Sequence, residues 1–140
     1  MRILLVDDSK AIRLANQRAL EQSGYDVICA EDGEAALNIA QTQPLDLILL
    51  DMMLPKLSGV EVLRHLKDDA RTAPIPVVVL SSLSERNRDK LMEEGAEAYL
   101  EKNTLMPQHG VNLLPQMLEN VVCRINRRRG IAFASARTGR

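Results

Sequence analysis

Five short apolar runs recur along the chain, each separated from the next by enough residues for one helix. They are ILLV at 3–6, YDVICA at 25–30, LDLILL at 45–50, PVVVL at 76–80 and AEAYL at 96–100. Helix-length stretches fill the gaps at about 9–23, 33–43, 58–69 and 84–94, and a last one runs from about 112 to 129. Such alternation builds a parallel sheet with helices on both faces. The middle runs are continuously apolar, as strands covered on both sides are. Local signals agree with these boundaries. Gly24 and Gly95 stand where left-handed residues end a helix, and Ser58 with Glu61 forms a capping box. Pro44 lies just past the second helix. The last helix carries an apolar stripe, Leu113, Leu114, Met117, Leu118, Val121, Val122 and Ile125, with Asn112 as its expected cap and Pro115 in its first turn.

The right-handed crossover rule and the short connections predict an α/β fold: a flavodoxin-like, doubly wound sheet of five parallel strands, order 2-1-3-4-5, with five helices. A length of 140 residues suits one such domain. Sites in these folds lie beyond the carboxyl ends of the strands. There the sequence places Asp7 and Asp8 after strand one, Asp51 after strand three, Ser81 and Ser82 after strand four, and Lys102 after strand five. Strands one, three, four and five are neighbours in the expected order, so these groups meet in one cleft.

Three carboxylates so close repel one another and call for a cation. With no His or Cys at these positions, an all-oxygen site suits a hard ion, Mg²⁺ with Mn²⁺ as a substitute. The lysine and the hydroxyl can face an anion. That combination fits phosphoryl transfer, in which positioning and charge neutralisation do most of the work. An aspartate can itself be the nucleophile, giving an acyl phosphate.

Composition and charge exclude several other classes. Aromatics are 2% of residues, too few for a base-stacking platform. The six arginines after Glu119 leave the first 119 residues at about −7, an acidic body with a basic end. The bland reading of that end is a solvated helix terminus, where Arg suits the dipole. Cys29 and Cys123 form no metal or redox motif and read as two buried thiols in a reducing compartment. The opening residues do not resemble a secretion signal, and no apolar stretch approaches membrane-spanning length. A cytoplasmic protein with no membrane or direct nucleic-acid partner is expected.

The motifs ILLVDDS, LILLDMMLPKLSG, VVVLSS and AYLEK, in this order and spacing, resemble the receiver domain of two-component response regulators over about residues 1–129. The resemblance implies that Asp51 is the phosphoacceptor. It implies that Asp8 binds the metal directly, Asp7 largely through water, and Met53 through its backbone carbonyl. Ser81 matches the hydroxyl that turns to the phosphoryl group, Lys102 the lysine that pairs with it, and Tyr99 the aromatic switch. The donor would be a phosphohistidine on a sensor histidine kinase or phosphotransfer protein. Phosphorylation would remodel the face made by the fourth helix, fifth strand and fifth helix, where relatives also form homodimers. Such a domain performs only its own phosphorylation and dephosphorylation and is not otherwise an enzyme. Residues 130–140 read as a flexible basic tail or the start of a linker.

Some features depart from the pattern or have plainer readings. Asn103 follows Lys102 where relatives carry a cis-proline, so a trans bond is expected. Met53 and Leu83 are apolar at places that help orient or exclude the attacking water, which implies a long-lived phosphoryl group. Asp7 and Asp8 could cap the first helix, but that leaves Asp51 and Lys102 unexplained. Ser82 with Glu85 has capping spacing, and Tyr99 could be plain core. His65 and His109 read as surface residues. Two alternatives stand beside the main one. The first is a Mg-dependent aspartyl-nucleophile phosphatase of the haloacid-dehalogenase type, which normally needs a second Asp where Met53 stands. The second is a degenerate receiver used only for binding.

Overall fold

A computed structural model describes residues 1–52, 54, 56–81, 88–102 and 112–130. The sheet comprises β1 (Arg2–Val6), β2 (Asp26–Ala30), β3 (Leu47–Asp51), β4 (Val77–Ser81) and β5 (Ala98–Glu101). Five described helices lie between and after them: α1 (Lys10–Gln22), α2 (Gly33–Thr42), α3 (Gly59–Asp68), α4 (Arg88–Glu93) and α5 (Leu114–Arg128). All strand pairs are parallel, in the order β2-β1-β3-β4-β5. This is the doubly wound sheet expected from the alternation.

Side chains alternate across each strand. Ile3, Leu5, Leu47, Leu49, Val78 and Leu80 face one side, where Leu20 of α1 and Leu114, Leu118, Val121 and Ile125 of α5 cover them. Leu4, Val6, Ile48, Leu50, Val77 and Val79 face the other, under Ala36 and Ala40 of α2, Val62, Leu63 and Leu66 of α3, and Leu91 of α4. Every residue of β3 and β4 is buried, which is why those runs lack polar alternation. Each large side chain buried this way contributes about 1.5–3 kcal/mol relative to exposure.

Helix ends are satisfied locally. Ser58 and Glu61 form the capping box of α3, with Glu61 N donating to Ser58 Oγ at 3.2 Å and Ser58 N to Glu61 Oε1 at 3.3 Å. Ser9, not Asp7 or Asp8, caps α1, and Asp32 caps α2. At α5 the residue before the first turn is Leu113, which offers no side-chain acceptor. Asn112 still serves that end, because its Oδ1 accepts from Leu114 N at 2.9 Å while its Nδ2 donates to the buried Asn16 Oδ1 at 2.8 Å. Gly24 and Gly95 have φ of 96° and 111°, the left-handed values anticipated for them.

Two expectations need correction. Cys29 and Cys123 are free but only half-buried. Cys29 lies on β2, an edge strand that is covered less well than the centre. Asp46 is not part of β3. It is exposed, and its Oδ2 accepts from Arg2 N at 2.7 Å, so it ties the start of β1 to the approach of β3. The far end of α5 is also anchored. Arg129 Nη1 donates to Pro74 O at 2.7 Å and its Nη2 pairs with Glu97, while Arg128 Nη2 donates to Glu97 O at 3.0 Å. The last turn of α5 is thereby fastened to the segments entering β4 and β5. No described helix is long and apolar enough to cross a membrane.

Candidate functional site

The strand ends deliver the acids to one place. Asp51 is the last residue of β3 rather than the first after it, and Met52 N still donates to Leu80 O at 3.2 Å. The ladder therefore grips both sides of Asp51, and only 2% of it is exposed. Asp7 follows β1 directly and is fully buried. Its N donates to Ala30 O at 3.1 Å, and its Oδ1 accepts from Ser9 N at 2.9 Å. Asp8 is exposed at the rim. Carboxylate oxygens of Asp7, Asp8 and Asp51 lie within 4.8 Å of one another.

Lys102, just past β5, reaches into this group. Its Nζ lies 2.9 Å from Asp51 Oδ2 and 3.5 Å from Asp7 Oδ2. Burial alone would lower the pKa of this ammonium, but the hydrogen bond and charge of Asp51, with Asp7 behind, hold it above the ordinary value. Lys102 therefore remains a cation. Burial pushes the Asp7 carboxyl above its ordinary range. The nearby charge of Asp51 adds to this, while the Ser9 N–H and Lys102 oppose it. One ammonium does not balance three carboxylates, and every donor is a hard oxygen. The set fits a divalent ion such as Mg²⁺, and a soft metal has no sulfur or imidazole ligand here among the described residues.

Asp7 carries a stability consequence with a definite sign. An acid whose folded pKa exceeds its unfolded value holds its proton more tightly when native. The stability linked to it is present at low pH and is lost as pH rises from about 3.8 through the raised folded value. The cost grows as pH rises through that raised value. Asp7→Asn removes it and keeps an acceptor for Ser9 N. In chelator the variant should be more stable than wild type by about 1 kcal/mol at pH 7, with the gain shrinking toward pH 4. Urea denaturation at the two pH values reads this, and a variant less stable than wild type at pH 7 would refute it.

Ser81 closes β4 and is fully buried, opposite Glu101 in the β4–β5 register. Tyr99 is half-buried on β5 and packs with the residues under α4. Met53, Leu83 and the Lys102–Asn103 peptide bond lie outside the described residues, as do Ser82, Glu85 and His109. His65 is exposed on α3.

Other groups near the site were not singled out from the sequence. Arg13 Nη1 donates to Asp7 O at 2.8 Å, bracing the acid from α1. Lys56, in the connection from β3 to α3, has a left-handed φ of 67°, which costs a residue with a side chain about 1–3 kcal/mol. Its Nζ lies 3.4 Å from Asp32 Oδ2 and 3.7 Å from Glu34 Oε2, so two acids at the start of α2 hold that turn. A groove of about 670 Å³ beside Arg2, Asp46 and Arg71 lies at the opposite strand ends and takes no part in this chemistry.

A doubly wound sheet carrying an acid triad and a lysine at its switch point is the architecture of a phosphoacceptor receiver. Residues 3–112 match the family model for the response regulator receiver domain, and the chain belongs to that family. The alkaline phosphatase synthesis transcriptional regulatory protein PhoP of Bacillus subtilis is 45% identical over 103 residues, 72% of this chain. The chain spans 42% of that relative's length. Among solved structures, the receiver domain of the Francisella response regulator 1452 aligns with TM-score 0.76 at 29% identity, over 91% of this chain and 98% of that one. The response regulator TrrA of Thermotoga maritima, solved in complex with Mg²⁺-BeF, aligns with TM-score 0.71 at 28% identity, over 86% of this chain and 97% of its own. Family membership decides between a receiver and a dehalogenase-type phosphatase in favour of the receiver.

Proposed function

We propose that this receiver takes a phosphoryl group onto Asp51 from a phosphohistidine of a sensor histidine kinase or phosphotransfer protein. The observation that carries the proposal is the 2.9 Å contact of Lys102 Nζ with Asp51 Oδ2, set among the carboxylates of Asp7 and Asp8. A carboxylate oxygen of Asp51 forms the bond to phosphorus as the P–N bond to the donor imidazole breaks, and the imidazole takes a proton. Asp7, Asp8, Asp51 and the Met53 backbone carbonyl are the residues we assign to Mg²⁺, which when bound neutralises charge on the transferring phosphoryl oxygens. Support comes from the all-oxygen donor set and from TrrA, which carries Mg²⁺-BeF.

The remaining residues act through position. The β3 ladder fixes Asp51 for attack, so little orientation is lost on reaction. Lys102 is already charged and moves from the carboxylate to a phosphoryl oxygen. The Ser81 hydroxyl then donates to another, and Tyr99 turns inward behind it. That pair of movements would alter the face made by α4, β5 and α5. We assign residues 1–129 to the receiver and 130–140 to a tail or linker, with chemistry limited to its own phosphorylation and dephosphorylation. The test is uptake of label from a small acyl phosphate with Mg²⁺, read by intact mass, with and without chelator. Absence of label under both conditions would leave only the binding role.

Met53 and Leu83 bear on how long the group stays. Neither side chain can hydrogen-bond and aim a water, so the phosphorylated state should decay slowly. Met53→Asn should shorten its half-life roughly tenfold, equivalent to about 1.4 kcal/mol of barrier. Decay of labelled protein after donor removal measures this. Equal half-lives in the two proteins would dismiss the idea.

A further inference from the structure

The three acids at the strand ends are not held alike. Lys102 and the β3 ladder hold Asp51, while Ser9 N and Lys102 hold the Asp7 carboxylate. Asp8 stands exposed at the rim, and among the described residues no hydrogen bond or ion pair holds its carboxylate. Its aim is therefore set by its main chain. Arg13 grips that main chain on both sides of Asp8. Its Nη1 donates to Asp7 O at 2.8 Å, and its backbone N donates to Ser9 O at 2.8 Å. A peptide unit is planar, so a fixed Asp7 carbonyl also fixes the direction of the Asp8 N–H. Asp7 N, donating to Ala30 O at 3.1 Å, anchors the segment to β2. The Arg13 side chain is turned toward β2 as well. It is half-buried, and its charge opposes the upward push of burial on the Cys29 thiol.

We propose that Arg13 is a positioning residue that aims the Asp8 carboxylate at the divalent ion assigned to this site. Mg²⁺ demands near-ideal octahedral geometry, and its ligands must be held to within about 0.5 Å. Asp8 has no side-chain partner to give that precision, so the flanking carbonyls give it, and Arg13 holds both. The two bonds are separable. The bond from Arg13 N belongs to the first turn of α1 and survives a change of side chain, whereas the bond from Nη1 does not. Charge and position predict opposite results. Loss of a cation beside three carboxylates should tighten Mg²⁺ binding by Coulomb attraction alone. Loss of the brace should weaken it, because groups that orient metal ligands typically carry about 10–100-fold in metal affinity. The role deepens the phosphoacceptor reading above and rests on it for its consequence in phosphoryl transfer.

The probe is MgCl₂ alone, titrated into the full unphosphorylated chain and followed by amide NMR shifts. Arg13→Met should raise the Mg²⁺ dissociation constant roughly tenfold. Arg13→Lys keeps a donor on a different stem and should bind about threefold more weakly than wild type. Arg18→Met removes a charge from an exposed site on the same helix and should stay within about twofold of wild type. Methionine is a good helix former, so α1 should be retained, which circular dichroism in chelator checks. Equal or tighter Mg²⁺ binding by Arg13→Met overturns the proposal. So does an equal weakening in Arg18→Met, or the lack of any Mg²⁺-dependent shift in wild type. If Arg13→Met does not fold, Arg13→Lys decides, and wild-type affinity in it then overturns the proposal. Phosphoryl uptake is measured on the same proteins across Mg²⁺ concentration. Arg13→Met should need more Mg²⁺ for its half-maximal rate, and a fallen rate with an unchanged Mg²⁺ requirement overturns the role. Label on wild type with unchanged Mg²⁺ affinity in Arg13→Met sinks the Arg13 role alone. Weakened Mg²⁺ binding in Arg13→Met with no label on wild type supports that role while sinking the phosphoacceptor reading.

Discussion

An Asp51→Asn chain should take up essentially no phosphoryl group from a small acyl phosphate, a fall on the order of 10⁴-fold, as when an enzyme loses its nucleophile. The amide keeps the shape of the side chain and its place at the end of β3, so packing is preserved. What it lacks is an anionic oxygen to form the bond to phosphorus. Lys102 loses its closest counter-charge, 2.9 Å away, but keeps Asp7 at 3.5 Å. The fold should therefore survive, with an unfolding midpoint no lower than wild type. Intact-mass measurement of both proteins under identical donor and Mg²⁺ checks the result. Label persisting at wild-type level would move the acceptor to Asp7 or Asp8 and overturn the assignment.

The second large effect is expected at Gly59. A Cβ there would stand 2.6 Å from Met52 Cα and 2.8 Å from Asp51 O, closer than atoms can pack. Gly59 N also donates to Met52 O at 3.1 Å, so the first turn of α3 rests directly on the backbone that carries the acceptor. Backbone cannot rotate away as a side-chain tip can. Gly59→Ala should cost about 2–3 kcal/mol and lower the thermal midpoint by roughly 5–10 °C. It should also slow phosphoryl uptake, because the displaced atoms are the Asp51 carbonyl oxygen and the Met52 backbone next to it. Gly33→Ala is the comparison. Its Cβ would meet the side chains of Val62 at 2.7 Å and Leu57 at 2.8 Å, away from the acids. That variant should lose stability with little change in uptake by the fraction still folded. Unchanged midpoint and uptake in Gly59→Ala would refute the close-approach explanation.

The acids and the lysine were legible because each occupies a strand end. Once β1, β3, β4 and β5 are neighbours, linear positions become one cluster without knowledge of any side-chain torsion. The strand limits were less legible. LDLILL looks like a strand from Leu45, yet Asp46 serves Arg2 N and the ladder extends through Asp51. Strand ends depend on where a neighbour's carbonyls fall, and hydrophobicity does not record that. The braces were invisible for a related reason. Lys56 with Asp32, Arg13 with the Asp7 carbonyl, and Arg129 with Glu97 join residues from separate segments through long flexible side chains. Exposed charges are common enough that no pattern marks these pairings. The basic end of α5 illustrates the same limit. Arg124, Arg127 and Arg128 read as an ordinary basic helix end, yet the fold sets them with Arg88 of α4 around one groove beside β5.

The anchoring of α5 has a geometric consequence. Arg128 and Arg129 fasten its last turn beside Pro74 and Glu97, at the entry side of the sheet, whereas Asp51 stands at the exit side. A five-residue strand at about 3.3 Å per residue places roughly 17 Å between those two poles. Gly130 therefore stands near the pole remote from Asp51. On the phosphoacceptor reading proposed above, a change at Asp51 has that distance to cross before it reaches Gly130, and the anchored end of α5 ties that helix to the segments entering β4 and β5.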